Sequence, residues 1–173
     1  MRHTIVPEPC ESEEPLIEYA DEHDRPLLIA PPSEAFPLRR KAVGAVLCDR
    51  RGRAFVRRRA SERGVETWDI SAETYVRSGE AREEAVGRAV RETLGLPNVP
   101  FGEAVPAAFK PAGGNVSLTL FLAELPGSLP PDSLREGHFL DREELVGMAE
   151  TFPDLFSPVL LWAIGTGCLW KRR

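Results

Sequence analysis

The sequence predicts a single layered domain of mixed α/β (α+β) class. Three observations support this prediction: pairs of short apolar segments around polar turns, one clear amphipathic helix in the middle of the chain, and two further helices near its end. Strands mixed with helices in this order favour a sheet that is covered by helices. With 173 residues, 42% of them hydrophobic, the chain is long enough for one domain with its own core.

The first strands are read from apolar runs on either side of turn residues. Two short strands are predicted in PLIEYADEHDRPLLIAP, around the polar turn 21–25. A clearer hairpin follows, with arms at 42–48 and 54–59. The segment WDISAETYV is predicted to be extended, so the chain enters its first helix from a strand.

The amphipathic helix is predicted over residues 81–94. Ser78 is the predicted N-cap, and Gly95 is the predicted C-terminal stop. At about 100° per residue, one side of the helix is apolar. This predicted core stripe consists of Val86, Val90 and Leu94. Another side carries Glu84, Arg88 and Glu92 at a spacing of four, which by itself predicts an ion-pair ladder on a solvated face.

Three more elements are predicted after this helix. Residues 103–110 and 115–125 are expected to form a second strand pair across a PAGG turn, with LPGSLPPDS after them as a loop. The segment EGHFL, residues 136–140, is the predicted last strand.

Two helices are predicted at the C-terminal end. The first, over residues 141–149, has Asp141 as N-cap and Glu144 at capping-box spacing. The second is expected to begin near Pro158, within the apolar run 155–170. That run is shorter than the roughly 20 apolar residues of a spanning helix, so a docked helix is the interpretation and a membrane tail anchor is the alternative.

Charge and cysteine content limit the classes of function. A formal net charge of −5 gives no field that would recruit nucleic acid or a membrane. The first 37 residues are acidic and residues 39–59 are basic, which predicts either an anion-binding stretch or two solvated faces that attract each other. The three cysteines have no metal-binding spacing, and the first residues have no apolar signal region, so a cytoplasmic location is expected. Residues 1–14 are interpreted as a flexible acidic tail and 15–173 as the domain.

Residues 74–96, TYVRSGEAREEAVGRAVRETLGL, resemble the Nudix box. The pattern of that family is G-x5-E-x7-R-E-U-x-E-E-x-G-U, where U is an aliphatic residue. Aligned without a gap on Gly95 and the leucine after it, Glu80 matches the first glutamate, Arg88 the arginine, and Glu92 the first residue of the Glu-Glu pair.

The resemblance extends over about residues 16–170. WDIS is similar to the strand that leads into Nudix boxes, AFVRRRAS to an arginine-bearing strand, and FLDREEL to a late strand and helix start. The first strands and WDIS look most like the isopentenyl diphosphate isomerase branch. This resemblance implies a Nudix-type α/β/α sandwich with a mixed sheet. The loop SAETYV lacks the cysteine of the isomerase, so isomerase activity is not expected.

Three residues depart from the family pattern. Thr74 stands at the first glycine, while Ala89 and Thr93 stand at two of the glutamates. In the family these glutamates hold Mg2+ or Mn2+, which take about six oxygen ligands, and one glutamate often serves as the base for the attacking water. Glu92 is the carboxylate that remains, and Glu136, ahead of the last strand, is the candidate second metal ligand or base.

Two functions remain open at this point. The resemblance implies a hydrolase of a nucleoside diphosphate linked to another group, in which Arg88 and Glu80 hold the loop and Arg58 or Arg59 contacts a phosphate. The alternative is a catalytically inactive module that binds a ligand or a protein. The expected cofactor is Mg2+ or Mn2+ for the first function and none for the second. The expected partner is a small-molecule diphosphate, with homodimerisation left open.

Overall fold

The structure, a computed structural model, describes residues 14–60 and 64–170. The strands are Ile17–Ala20 (β1), Pro26–Ala30 (β2), Arg39–Cys48 (β3), Ala54–Ala60 (β4), Glu66–Asp69 (β5), Ala72–Tyr75 (β6), Val116–Glu124 (β7) and Gly137–Leu140 (β8). The α-helices are Arg82–Leu94 (α1), Pro131–Arg135 (α2), Arg142–Thr151 (α3) and Pro158–Gly165 (α4). The predicted acidic tail falls almost wholly outside the described residues and stays a prediction.

The long strand β3 is the centre of the sheet. It runs parallel to β7 along its length, from the pair Arg40–Val116 to the pair Cys48–Glu124. Its other edge is shared by β1, β6 and β4, all antiparallel to it. The sheet is therefore mixed, as predicted.

Alternate residues of β3 supply two apolar layers, one on each face of the sheet. Val43 and Leu47 face α1 and pack against its predicted stripe of Val86, Val90 and Leu94. The intervening residues belong to a second cluster with α3 and α4, whose members include Ala42, Val46, Leu145 and Leu160. The predicted sandwich of helices around a sheet is thus confirmed.

A buried serine lies at a fork in the sheet, where the edge of β3 changes its partner from β6 to β4. β6 pairs with the first half of β3, whereas β4 pairs with its last residue. Between them, the Ser71 hydroxyl donates to the Phe55 carbonyl at 2.6 Å and accepts from the Leu47 amide at 2.9 Å. Ser71 is 0% exposed. It therefore replaces the ladder bonds that the fork interrupts.

Helix α1 begins later than predicted and ends where predicted. Its N-cap is Ala81, so the prediction of Ser78 is wrong. The Ser78 amide donates to the Leu16 carbonyl at 2.9 Å, which keeps this residue with the strands. Glu84 accepts from the Ala81 amide at 3.0 Å, so it supports the first turn instead of joining a ladder. Gly95 closes the helix with a φ of 67°.

The prediction for residues 103–110 was wrong, because this segment forms no strand. It touches β7 through an isolated bridge between Phe109 and Leu118, and through a 2.8 Å bond from the Val105 amide to the Leu120 carbonyl. Pro106 lacks the amide hydrogen that a continuous ladder needs. The loop LPGSLPPDS was also predicted incorrectly, since it contains the start of α2, with Pro131 as its first residue.

The C-terminal predictions are confirmed. Asp141 caps α3 by accepting from the Glu144 amide at 2.9 Å, and the Glu144 carboxylate accepts from the Asp141 amide at 2.8 Å. Helix α4 begins at Pro158, after Ser157 as N-cap. Over the ranges that the structure describes, no helix has both the length and the apolar character needed to cross a bilayer.

The fork at Ser71 gives a stability prediction. Ser71→Ala leaves the Leu47 amide buried without its acceptor, so the free energy of unfolding should fall by about 1–3 kcal/mol. Urea unfolding measures this change. The exposed Ser78→Ala is the matched control and should change stability by less than about 0.5 kcal/mol. Equal effects of the two substitutions would mean that the hydroxyl of Ser71 does not hold the fork.

Candidate functional site

A buried ion pair fixes the loop before α1 to the helix. Arg88 Nε and Nη2 donate to the two carboxylate oxygens of Glu80 at 2.8 and 2.9 Å. Arg88 also donates to Thr74 Oγ1 at 3.1 Å and to the Tyr75 carbonyl at 2.9 Å. Because Arg88 is only 8% exposed, this pair joins β6, the loop and the helix into one unit.

The electrostatics of this pair favour its charged form. The Arg88 hydrogen bond lowers the pKa of Glu80 below its ordinary value, and the Arg77 amide, at 2.9 Å, acts in the same direction. The Glu80 hydrogen bond in turn raises the pKa of Arg88. A carboxylate with a lowered pKa stabilises the fold above its unfolded pKa and loses that contribution as the pH falls.

Glu92 lies one turn after Arg88 on the same side of the helix. Its Oε2 is 3.5 Å from Arg88 Nη1, and its side chain is 54% exposed. The candidate carboxylate is therefore accessible to solvent, and its charged neighbour is a guanidinium.

The two substituted glutamate positions differ in their surroundings. Ala89 is 1% exposed and belongs to the apolar cluster between α1 and the sheet. Thr93 is half-buried. Ala89 thus contributes to the core at a position where the resemblance would place a metal ligand.

Glu136 is connected to the C-terminal end of α1 through α2. The Ser133 hydroxyl of α2 donates to the Leu94 carbonyl in the last turn of α1, at 2.9 Å. Glu136 follows α2 directly, and its Oε2 is 2.5 Å from Arg57 Nη2. Glu92 and Glu136 are therefore each engaged by an arginine.

These side chains do not fit a magnesium ion. Within residues 14–60 and 64–170, no group of three or more histidine, cysteine, aspartate or glutamate side chains is arranged to hold a metal. Mg2+ needs near-octahedral oxygen ligation. An exposed Glu92, a buried Ala89 and a Glu136 bound to Arg57 do not provide it.

The two predicted phosphate-binding arginines point to opposite sides of β4. The Arg58 guanidinium lies 5.9 Å from the centre of the Trp68 ring, and its Nη1 is 3.4 Å from Glu66. Arg59 Nη1 instead contacts Glu73 and lies 3.4 Å from Asp69 Oδ2. The structure does not bring the two arginines to one site.

Two acidic residues were missed as site candidates in the sequence. Asp69 is 6% exposed, and it accepts from the Ser157 hydroxyl at 2.6 Å and from the Ile70 amide at 2.8 Å. Burial raises the pKa of Glu73, and the charge of Asp69 acts in the same direction. The signal was an acid inside the apolar segment WDI, four residues before a second acid and close in sequence to three consecutive arginines.

We call the two sets of ion pairs along β4, Arg57 with Glu136 and Arg59 with Asp69 and Glu73, the β4 charge cluster. Its members are Arg57, Arg59, Asp69, Glu73 and Glu136. It holds two guanidinium groups and three carboxyl groups. Arg57 Nε is buried and has no hydrogen-bond acceptor among the described residues.

An open hollow of about 1000 Å³ lies elsewhere. It is bordered by the turn between β3 and β4, the first turn of α3 and the end of the chain around Trp170. It contains none of the predicted site residues. Cys48 borders it, and burial raises the pKa of this thiol to about 11, so Cys48 is not a ready nucleophile.

Comparisons with known proteins agree on the fold. The family model described as the NUDIX domain matches residues 38–160. DR0079 from Deinococcus radiodurans has a similar structure, with a TM-score of 0.70 and 19% identity over 90% of this chain and 99% of that one. No curated protein matches the chain in sequence.

Two further structures are similar over most of this chain. The MutT protein from Methanosarcina mazei Go1 has a TM-score of 0.54 and 20% identity over 75% of this chain and 94% of its own. The C. elegans Ap4A hydrolase has a TM-score of 0.52 and 15% identity over 75% and 98%, respectively. At these identities the likeness shows the fold.

The burial of Ala89 gives a prediction. Ala89→Glu would place a carboxylate in the apolar cluster, so the free energy of unfolding should fall by about 3 kcal/mol or more. Thr93→Glu, at a half-buried position of the same helix, should cost about 1 kcal/mol or less. Chemical denaturation compares the two variants. Equal stability of Ala89→Glu and wild type would show that this face of α1 is exposed to solvent.

The Glu80–Arg88 pair gives a prediction for pH. The folded pKa of Glu80 is lowered, so its contribution to stability is present above its unfolded pKa of about 4.3 and is lost as the pH falls further. Glu80→Gln should therefore make the loss of stability in acid less steep, as measured by urea unfolding at a series of pH values. The exposed Glu83→Gln is the control and should keep the wild-type slope. A wild-type slope for Glu80→Gln would contradict the pairing.

Proposed function

The chain belongs to the Nudix family, and on that premise we propose that it is a weak hydrolase of a nucleoside diphosphate linked to another group. The observation that carries this proposal is the buried pair between Arg88 and Glu80, which presents Glu92 to solvent at the edge of the loop and helix. The proposed branch is the one that resembles isopentenyl diphosphate isomerase, without the isomerase reaction.

The proposed reaction is attack of water on a phosphorus atom of the diphosphate. The bond from water oxygen to phosphorus forms, and Glu92 accepts the proton that water releases. The bridging P–O bond breaks, and the second phosphate group leaves with the bridging oxygen and the bonding electron pair. Arg88 lies 3.5 Å from Glu92 and holds that carboxylate beside the loop. Among the positive side chains that could receive the phosphates, Arg59 is the candidate on the side of Asp69 and Glu73.

The low rate follows from the proposed loss of the metal-binding shell. In the family, a divalent cation neutralises the charge of the diphosphate and activates water. Here Ala89 is part of the core and Thr93 has no carboxylate. We therefore propose that the box is degenerate and that turnover is low.

A second candidate is a binding module without catalysis, and the burial of Ala89 favours it. This module would bind a ligand or a protein, and where the ligand is a diphosphate the two candidates differ in turnover. The names of the similar structures, a MutT protein and an Ap4A hydrolase, are the reason for placing hydrolysis first.

The test is turnover on a panel of diphosphate compounds. The panel includes ADP-ribose and a dinucleoside tetraphosphate, with products followed by mass spectrometry in Mg2+, in Mn2+ and in EDTA. Loss of the proposed base in Glu92→Gln should lower turnover by about 100-fold, because general-base catalysis contributes about that much.

Two further variants separate the candidates. Glu83→Gln removes an exposed carboxylate of the same helix and should keep wild-type turnover. Thr93→Glu adds one carboxylate beside Glu92 and should raise turnover in Mg2+. A wild-type protein that binds a panel compound and never cleaves it would be a binding module. Unchanged turnover in Glu92→Gln would remove Glu92 from the reaction.

A further inference from the structure

We propose that the guanidinium groups of Arg57 and Arg59 supply the positive charge of this site, so that the chain binds a diphosphate without a divalent cation. This inference rests on the proposed diphosphate ligand and concerns how that ligand is held. The residues that carry it are those of the β4 charge cluster.

The first argument is that arginines already engage the carboxylates of the cluster. Arg57 Nη2 is 2.5 Å from Glu136, and Arg59 Nη1 contacts Glu73 and approaches Asp69 to 3.4 Å. These guanidinium groups stand where a metal ion would have to stand to use the same oxygens. A divalent cation that entered would compete with the arginines for these carboxylates. The two positive guanidinium groups would also repel it.

The second argument is that the two arginines have donors to spare. A guanidinium carries five N–H donors and no acceptor. Arg57 Nε has no acceptor among the residues that the structure describes, although the atom is buried. The Arg59 side chain is 56% exposed, so a ligand can reach it from solvent. Oxygen-rich anions are the ligands that satisfy such donors.

The third argument is the position of the cluster beside the loop and helix. Glu73 immediately precedes Thr74, whose hydroxyl accepts from Arg88 at 3.1 Å. At the other end, Glu136 follows α2, which Ser133 attaches to Leu94 of α1. Glu73 is therefore the sequence neighbour of a residue that Arg88 binds, and Glu136 follows the helix that is attached to the last turn of α1.

Binding would proceed by exchange of anions. Phosphate oxygens take the places of the Glu73 and Glu136 carboxylates on the guanidinium groups, and those carboxylates turn to solvent. Glu136 is exposed, at 57% of its side chain, whereas Glu73, at 32%, has to leave a partly buried position. Asp69 stays in place because it is buried and held by Ser157 and its own chain.

The first test is calorimetric binding of inorganic pyrophosphate, with EDTA and with Mg2+. The dissociation constants in the two buffers should agree within about 3-fold, since no metal takes part. Arg59→Gln should weaken binding by about 10-fold or more. The affinity of Arg59→Lys should lie between those of wild type and Arg59→Gln, because lysine keeps the charge without the bidentate hydrogen bonds. The control Arg50→Gln removes an exposed charge at the turn of the same hairpin and should change binding by less than about 2-fold.

The second test replaces carboxylates of the cluster. Binding through arginines and binding through a metal ion predict opposite changes in the affinity for pyrophosphate. Glu73→Gln and Glu136→Gln remove the competitors of the phosphate, so each should tighten pyrophosphate binding by about 3- to 10-fold. If Glu136 were a metal ligand, its loss would weaken binding. Glu83→Gln corrects for the general effect of one fewer negative charge. Circular dichroism confirms that each variant is folded.

The outcomes distinguish this inference from the proposed function. Binding that requires Mg2+, or that weakens in Glu136→Gln, overturns the inference and leaves the diphosphate ligand standing. Metal-independent binding that Arg59→Gln does not alter also overturns it. Failure to bind pyrophosphate in both buffers, together with no binding or cleavage across the panel, overturns the inference and the proposed function together.

Discussion

The bidentate pair between Arg88 and Glu80 is the interaction on which the rest of the site depends. It is buried, and the same guanidinium also holds Thr74 Oγ1 and the Tyr75 carbonyl. A buried arginine without its partner would be costly, so the loop has one low-energy position. The pair thereby fixes the loop to α1, whose apolar side packs against the sheet.

The same helix then uses a neighbouring position for packing. Ala89 follows Arg88 directly and lies in the apolar cluster, where a small side chain allows α1 to approach the sheet closely. A glutamate there would need water or a cation around it. If the box is degenerate as proposed, the chain keeps the fold of its family and uses for the core a position at which the resemblance places a metal ligand. Core packing and metal binding exclude each other at one residue, so the proposed loss of metal ligands would be linked to stability.

Local signals predicted much of the fold, and long-range contacts account for what they missed. Gly95 and Asp141 were identified because a positive φ and a helix cap depend on adjacent residues. Ser78 had the chemistry of a cap, but its amide is bound by Leu16 across the sheet. In the site, the resemblance to the Nudix box predicted the pair between Arg88 and Glu80, whereas helical spacing alone predicted a ladder of Glu84, Arg88 and Glu92. The contacts of Glu136 and Glu73 with β4 arise where separate segments meet, so the acids and arginines around WDI indicated a charged region without specifying its pairs.

The composition of the β4 charge cluster bears on which anion it would hold. Two guanidinium groups contact three carboxyl groups, so in the proposed mode of binding an incoming anion displaces carboxylates from part of the arginine donors. A monophosphate reaches one guanidinium and replaces one carboxylate with a similar contact. A diphosphate that contacted both arginines would form the second contact without a second loss of translational freedom. Competition from the cluster's own carboxylates thus favours ligands with two linked phosphates over ligands with one.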